Sequence, residues 1–244
     1  MKEVHRCECL SVVSRCLRCF PSALCFAAQI LINGGFETGT FAGWTVANEA
    51  GSFPGSNWFV VSGTTTPQSG MSTVGAAGGL FYAVTDQGGP GAHSLLQSFT
   101  VGAGNSVVFS FDMFANNWNA VTVVGPQGLN FNGAANQHAR VDLLTGSANA
   151  FDTGAGVIHN FFLGADAPNA IVHAYTHYSF DISSFVAAGG TFQIRFAEVD
   201  NQFFFNQGID NVVVNLFPEP STLTVTVGGL LLLAGGAFRW KQQP

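Results

Sequence analysis

Positive charge is nearly missing from the main part of this chain. Between Gln29 and Phe217 the sequence has eleven Asp or Glu residues, two arginines (Arg140 and Arg195) and no lysine. Proteins that bind nucleic acid need a basic surface to neutralise phosphates, and two arginines cannot form one. The composition therefore excludes nucleic acid as a partner, and it suits a calcium-containing exterior or a neutral polysaccharide.

Cysteine is missing from the same region. All five cysteines lie in the first 25 residues, so the rest of the chain can form no disulfide bond and no thiolate metal site. Two cysteine pairs near the start have zinc-like spacings, but the short leader around them offers no folded surround. Four basic residues there precede a modest apolar run over residues 20–32. We therefore predict that residues 1–28 are a secretory targeting segment.

Charge of either sign is scarce. Only 9% of the 244 residues are charged and 47% are hydrophobic, whereas charged residues make up about a quarter of a typical soluble domain. The surface must then be built mainly from Ser, Thr, Asn, Gln and Gly. Residues 29–216 are long enough for one sizeable domain, and we expect it to be extracellular.

The C-terminal end has the composition of a membrane span. Apart from Arg239, the segment 221–240 carries no charge, and as a helix it would reach about 30 Å, the thickness of a bilayer core. Pro218 and Pro220 mark where such a helix begins. Arg239 and Lys241 close the segment, and flanking cations favour the cytoplasmic side. These features predict a single C-terminal transmembrane helix.

The order of Pro218-Glu219-Pro220, apolar span and basic end resembles the PEP-CTERM sorting signal of Gram-negative bacteria. The resemblance implies that residues 217–244 direct export. An inner-membrane intermediate would be cut near the motif by an exosortase, and the product would reach the cell surface or an exopolysaccharide matrix. Two cations with a Trp between them end this tail, where the family often has an arginine cluster. A plain membrane anchor is the alternative.

The two-residue period of β-strands recurs through the domain. In residues 107–114 one face is apolar, formed by Val107, Phe109, Phe111 and Met113. Further strand candidates are residues 30–32, 80–85, 94–101, 137–144, 175–182, 192–197 and 208–214. The segments 45–79 and 145–173 are predicted to be long loops, and the one helical turn is predicted at 183–188. This pattern predicts an all-β, two-sheet sandwich.

The two ends of the domain carry a family resemblance. Asn33-Gly34-Gly35-Phe36-Glu37 followed by Gly43-Trp44, together with the closing strands in 178–216, resembles the galactose-binding-like jelly rolls of carbohydrate-binding modules. The resemblance implies a jelly-roll sandwich in which Glu37 and Asp210 lie close and hold a structural Ca²⁺ with backbone carbonyls. Alternatively, Glu37 caps a turn and Asp210 hydrogen-bonds the opening loop. No other cofactor is predicted.

Tryptophans flanked by amides are candidates for sugar binding, because flat rings stack on pyranose faces while amides bond the hydroxyls at their edges. The candidate ligand-binding residues are Trp58, Asn116, Asn117 and Trp118. Trp44 follows a glycine and is predicted to lie in the core. The alternative for Trp58 and Trp118 is that they shield an edge of the sandwich.

Catalytic signatures are weak. Four acids are candidates for the carboxylate pair of a glycosidase: Asp112, Asp142, Glu198 and Asp200. The chain has no nucleophile elbow, zinc-protease helix or phosphate loop. The sequence therefore predicts a non-enzymatic surface or matrix protein that associates with exopolysaccharide. A structural or adhesive protein with no defined ligand is the main alternative, and a glycoside hydrolase is the other.

Overall fold

Two antiparallel sheets form the part of the chain that the computed structural model describes, residues 27–119, 122–125, 127–167 and 171–217. The elements follow the alternating patterns of the sequence, with β-branched and aromatic residues in the strands. They are β1 (Ala28–Gln29), β2 (Thr45–Asn48), β3 (Asn57–Val61), β4 (Tyr82–Asp86), β5 (Gly91–Val101), β6 (Ser106–Asn117), β7 (His138–Thr145), β8 (Val157–Gly164), β9 (Thr176–Asp181), α1 (Ser183–Val186), β10 (Gly190–Asp200) and β11 (Phe205–Phe217).

The strand order confirms an all-β, two-sheet sandwich. One sheet has the order β3-β4-β11-β6-β9, with β1 pairing with β11, and the other has the order β2-β5-β10-β7-β8. All the strand pairs are antiparallel. The predicted strands at 107–114 and 192–197 are both central, since β6 and β10 each have two neighbours.

The predicted apolar face of β6 lies between the sheets. Val107, Phe109, Phe111 and Met113 are all buried in the main core. Phe196 on β10 comes from the opposite sheet, and its ring centroid lies 5.2 Å from that of Phe111. Contacts between aromatic rings from both sheets therefore fill much of the interior, which stabilises the packing of one sheet on the other.

The opening segment runs along the last strand. Ile30 donates a backbone hydrogen bond to Val214 (3.0 Å), and Val212 donates one to Gly34 (2.9 Å). A side chain at Gly34 would place its Cβ 1.9 Å from the Val212 carbonyl oxygen, so this approach requires glycine. Trp44 lies in the core as predicted, with its ring centroid 5.5 Å from that of Phe36.

Three strand predictions were wrong. The segments 45–79 and 145–173 contain β2, β3 and β8, although their composition indicated loops. Within β3, Trp58 and Val60 point into the core despite the Gly, Ser and Thr residues around them. In β8, two register shifts against β7 interrupt the alternation. The first strand lies at Ala28–Gln29 rather than at residues 30–32.

Both arginines of the domain lie on the outer face of the second sheet, in one ion cluster. Asp142 accepts hydrogen bonds from Arg140 (2.7 Å) and Arg195 (2.6 Å), and also one from Asn160 (2.8 Å). Burial alone would raise the pKa of Asp142, but these bonds and the two positive charges bring that pKa below its usual value. Both arginines of the described ranges are therefore paired with one carboxylate inside the structure.

The predicted sorting signal cannot be compared with this structure. Pro218, Glu219, Pro220, Arg239 and Lys241 lie outside the described residues, as do the predicted span at 221–240 and nearly all of the targeting segment. Within the described ranges, no helix is long and apolar enough to cross a membrane.

Candidate ligand-binding end of the sandwich

Four connections meet at one end of the sandwich, which we call the loop end. The register of the strands brings them together, because β10 ends opposite the start of β5 and β6 ends opposite the start of β11. The connections are β2–β3 (49–56), β4–β5 (87–90), β6–β7 (118–137) and β10–β11 (201–204). Loops held on rigid strands are common sites of binding.

A pocket of about 210 Å³ opens at the loop end, and we call it the hairpin pocket. It is lined by Gly88, Gly89, Pro90, Asp200, Asn201, Gln202, Phe203 and Phe204. Phe203 is 53% exposed and its ring lies 4.9 Å from that of Phe204. The pocket thus offers an aromatic surface to solvent, with polar groups beside it.

A second aromatic ring stands next to this pocket. Phe53 is 44% exposed, and its backbone N–H bonds to the Pro90 carbonyl at 2.9 Å. A Cβ atom at Gly89 would lie 2.5 Å from the Phe53 ring. The glycine therefore lets the ring rest directly on the backbone that lines the pocket.

Asp200 supplies the pocket with a carboxylate that is only partly satisfied. Its Oδ2 accepts a hydrogen bond from Gln87 Nε2 at 2.8 Å, whereas its buried Oδ1 has no partner among the described residues. Burial raises the pKa of Asp200 to about 7, although the bonds from Gln87 and from the Gly91 backbone N–H oppose this shift. Oδ1 is thus a buried polar atom in the wall of the pocket, covered from solvent, and its lack of a side-chain partner lowers stability.

Behind Asp200, the interior holds a second carboxyl group. Glu198 and His93 are directly opposite each other on β10 and β5, and His93 Nε2 lies 3.9 Å from Glu198 Oε1, too far for a hydrogen bond. Burial, with the negative charges of Asp200 and Asp86, raises the pKa of Glu198 well above its usual value. Burial also lowers the pKa of His93 to about 4. Burial therefore favours the neutral form of both groups.

The predicted ligand-binding residues all lie towards the loop end, but most of them are buried. Trp58 is 1% exposed in the main core, so its ring offers no face to a sugar. Asn116 and Asn117 are also buried, and Asn117 Oδ1 accepts a bond from Gln137 Nε2 (2.7 Å). For these three residues, direct contact with a ligand was a wrong prediction, because their strands turn them away from solvent.

Trp118 remains half-buried beside the hairpin pocket. Its backbone N–H bonds to the Phe204 carbonyl at 3.1 Å, and its Nε1 donates to Asn206 Oδ1 at 2.8 Å. The tryptophan thereby supports the β10–β11 connection that carries Phe203. Contact of Trp118 with a ligand stays a prediction, and so does the alternative that Trp118 shields a sandwich edge.

A second, more polar pocket of about 300 Å³ also lies at the loop end, and we call it the amide pocket. It is lined by Glu49, Gln127, Leu129, Asn130, Asn132 and Phe151. Neither this pocket nor a role for Phe203 was predicted from the sequence. The density of amides in residues 127–137 was the available signal for the amide pocket, whereas nothing distinguishes Phe203 among 24 phenylalanines.

The predicted calcium ligands lie close together elsewhere in the fold. Glu37 accepts backbone hydrogen bonds from Leu80 (3.0 Å) and Phe81 (2.9 Å), and Asp210 accepts them from Ala77 (2.9 Å) and Gly78 (3.0 Å). Burial raises the pKa of Asp210, the backbone donors oppose this, and the charge of Glu37 adds to it. Within the described ranges, no group of three or more His, Cys, Asp or Glu side chains is arranged to hold a metal ion.

The four acids proposed as a glycosidase pair are not together. Asp112 lies on the outer face of the first sheet, where it contacts His177 (2.7 Å) and Asn211 (2.8 Å). Asp142 belongs to the arginine cluster on the other sheet. Glu198 and Asp200 are the two that lie near each other, and Glu198 is fully buried.

Comparison with known proteins identifies no family: no family description matches the sequence, and no curated protein matches it. Solved structures that are similar in shape include TmCBM61 in complex with beta-1,4-galactotriose (15% identity, 79% of this chain and 99% of that chain, TM-score 0.45). Another is the K3 adhesin domain of Lys-gingipain from Porphyromonas gingivalis (18% identity, 77% of this chain and 98% of that chain, TM-score 0.49). A third is the CBM22-1 xylan-binding domain of Paenibacillus barcinonensis Xyn10C (14% identity, 78% of this chain and 96% of that chain, TM-score 0.40). These structures are carbohydrate-binding-module-like or adhesin domains. Because the similarity is so low, a function for this chain has to be argued from the residues at its own loop end.

The buried acids predict a distinctive pH dependence of stability. The raised pKa of Asp200 gives stability that is fully present below about pH 4 and is lost as the pH rises through 7. The raised pKa of Glu198 acts in the same direction. His93 and His138, whose pKa values burial lowers to about 4, act oppositely, because their contribution is lost as the pH falls below 6.5. Between pH 4 and 6.5 the stability lost by the carboxyl groups as the pH rises is offset by the stability gained from the histidines. Above pH 6.5 only the loss of stability from the carboxyl groups continues.

We therefore expect the melting temperature to fall between pH 6.5 and 8, and Asp200→Asn to reduce this fall. Thermal melts at matched ionic strength measure this change in melting temperature for the wild type and the variant. Glu49→Gln is the control, since it removes a partly exposed carboxylate at the same end of the sandwich. Parallel curves for the wild type and Asp200→Asn would show that Asp200 is ionised in the folded protein throughout this range.

Proposed function

We propose that this protein is an exported, non-enzymatic surface or matrix protein whose β-sandwich binds a glycan at the loop end. The observation that supports this most directly is the hairpin pocket. It combines the exposed ring of Phe203 with the polar side chains of Asn201 and Gln202, which line the same pocket and are not buried. An aromatic ring packs against the apolar face of a sugar, and a fixed polar atom beside it bonds a hydroxyl group.

The geometry also supports a binding role over catalysis. A glycosidase needs two carboxyl groups on either side of the scissile bond in an open cleft. Here Asp200 lines the pocket, but its neighbour Glu198 is fully buried behind it and does not line the pocket. Asp112 and Asp142 are on outer faces of different sheets, so neither can complete a pair with Asp200.

We expect Phe203→Ala to weaken glycan binding about tenfold, the effect of losing roughly 1.4 kcal/mol of ring contact. Asp200→Asn should also weaken binding at pH 8, because it replaces a charged acceptor with a neutral amide. A glycan array identifies the ligand, and titration calorimetry of the full chain in detergent measures the affinity. Phe185→Ala is the matched control, because Phe185 is 37% exposed on α1, at the opposite end.

Binding that persists unchanged in both loop-end variants would place the site elsewhere. If no glycan in the array binds, the structural or adhesive role without a defined ligand becomes the better description. Circular dichroism of each variant separates the loss of a contact from the loss of the fold.

The route to the surface is a proposal supported by sequence alone. The targeting segment (1–28) would start export, and the 221–240 span would hold the chain in the inner membrane. An exosortase would then cut near Pro218-Glu219-Pro220 and release the sandwich, proposed to be of the galactose-binding-like jelly-roll type, to the surface or matrix of a Gram-negative cell. A neutral surface-associated polysaccharide is the partner that this route would bring within reach.

Fractionation of cells with intact-mass analysis tests that route. We expect mature protein at the surface or in the medium with a C-terminus near Pro220, and expect Glu219→Ala to leave full-length protein in the inner membrane. A tag inserted near Gly146 follows both products. Full-length wild-type protein that stays in the inner membrane would mean that the tail is only an anchor.

We also propose that Glu37 and Asp210 hold Ca²⁺, as the family resemblance implies. Glu37 lies close enough to raise the pKa of Asp210, and a cation between the two carboxylates would neutralise their charge, although backbone N–H groups already do part of this. Calcium should then raise the melting temperature of chelator-treated wild type but not of Asp210→Ala, with Asp181→Ala as the control. An unchanged wild-type melting temperature would leave both acids with the single role of holding the 77–81 loop.

A further inference from the structure

One side chain links the loops that line the hairpin pocket and the amide pocket. Asn201 lines the hairpin pocket, and its Nδ2 donates to the carbonyl groups of Phe131 and Ala134, both at 2.8 Å. Phe131 lies between Asn130 and Asn132, two of the residues that line the amide pocket. The Asn201 side chain thus joins the walls of the two pockets.

The β2–β3 connection also touches the segments that line both pockets. Glu49 lines the amide pocket, and Phe53 rests on the Gly88-Gly89 backbone that lines the hairpin pocket. Within this connection, Ser52 donates a backbone hydrogen bond to Glu49 at 3.1 Å. The segments that line the two pockets are therefore linked in two places at the loop end.

The amide pocket has the groups needed to bind a sugar. The side chains of Gln127, Asn130 and Asn132 offer donors and acceptors for hydroxyl groups, and Phe151 adds a ring. The loop that carries the amides is fixed by Asn136, whose side chain donates to the carbonyls of Gly128 (2.7 Å) and Asn130 (2.9 Å). Because the backbone is held in advance, a ligand need not order it on binding.

Charge at the loop end has one sign. Each pocket contains a carboxyl group, Glu49 in one and Asp200 in the other, and neither is lined by an arginine or lysine. The carboxylate of Glu49 forms no hydrogen bond or ion pair with any described residue. The arginines of the described ranges are both bound to Asp142. An anionic sugar would thus meet negative charge without a compensating cation.

From these contacts we infer that the two pockets are subsites of one cleft, which takes a chain of neutral or amine-bearing sugars and disfavours uronate or sulfated chains. This inference rests on the glycan-binding function proposed above, and it specifies the class of glycan. A chain that spans both pockets gains contacts that a single sugar unit cannot make.

The length of the bound chain is tested first, with oligosaccharides of two to six units from the neutral series that binds best to the full-length protein. We expect the dissociation constant to fall at least fivefold from two to six units, and Asn132→Ala to remove this gain. Asn105→Ala is the matched control, because Asn105 lies in the β5–β6 turn at the opposite end. An affinity that does not change with length, or a gain that survives Asn132→Ala, would overturn the two-subsite cleft.

The charge of the sugar is tested with the same oligosaccharides after oxidation of C6 to a carboxylate, at pH 8 and low salt. We expect at least tenfold weaker binding of the oxidised series. In the double variant Glu49→Gln/Asp200→Asn, the ratio of the dissociation constants of the oxidised and neutral series should be at least threefold smaller than in the wild type. High salt should also reduce this ratio. Equal binding of the two series by wild type would overturn the charge selection.

These outcomes can be told apart from a failure of the proposed function. If neutral chains bind without dependence on length or charge, the protein is a glycan binder and the cleft described here is wrong. If no series binds at all, the glycan-binding function fails, and the inference fails with it.

Discussion

The two-residue period of β10 determines which side chains meet inside this sandwich. Phe192, Ile194 and Phe196 point between the sheets, and the same period directs Glu198 and Asp200 inwards. The pairing of β10 with β5 and β7 runs without a register shift through this stretch. Only a bulge would move the later members of this inward-facing set to the outer face, and the strand has none here. The backbone itself therefore holds the two acids in the interior.

That constraint makes the loop end of the interior polar and only partly satisfied. Besides Glu198 and Asp200, Trp58 Nε1, Gln87 Oε1 and Gln207 Oε1 are buried without a partner among the described residues. Unpaired polar groups in an interior lower stability, and protonation of Glu198 reduces the cost because a neutral carboxyl is easier to bury than a charged one. The local loss of stability lies next to the hairpin pocket, as is common where a fold also carries a binding site.

The sequence predicted the fold class because the central strands keep a regular period. The inward face of β6, with Phe109 and Phe111, could be read directly from alternation, and so could the core position of Trp44. Alternation fails in β8, where two register shifts interrupt it, and it is too short to be recognised in β3 among small polar residues. Local pattern therefore identified the strands with two neighbours and the edge strand β9, and it missed the edge strands β2, β3 and β8.

The candidate site could not be predicted to the same degree, since it depends on which segments meet. The hairpin pocket joins residues 88–90 to residues 200–204, and no local pattern reports that contact. Trp58 and Trp118 have similar flanking amides, yet β3 turns the first into the core while the second follows the end of β6. The sequence suggested Asp200 only as half of a catalytic pair. Only the structure shows that Gln87 binds one oxygen of this carboxylate and leaves the second oxygen without a side-chain partner.

The arginine cluster connects the charge of the loop end to its shape. Arg195 Nη1 donates to the carbonyl groups of Ala150 (2.9 Å) and Asp152 (2.7 Å), the residues on either side of Phe151, which lines the amide pocket. The same guanidinium is bound to Asp142 on the outer face of the sheet, a carboxylate that it shares with Arg140. One of the two described cations thus positions an aromatic ring in the cleft instead of attracting a ligand to it. An arginine placed in the cleft itself would have attracted acidic sugars, whereas this arrangement leaves rings, amides and carboxylates, which together favour sugars without negative charge.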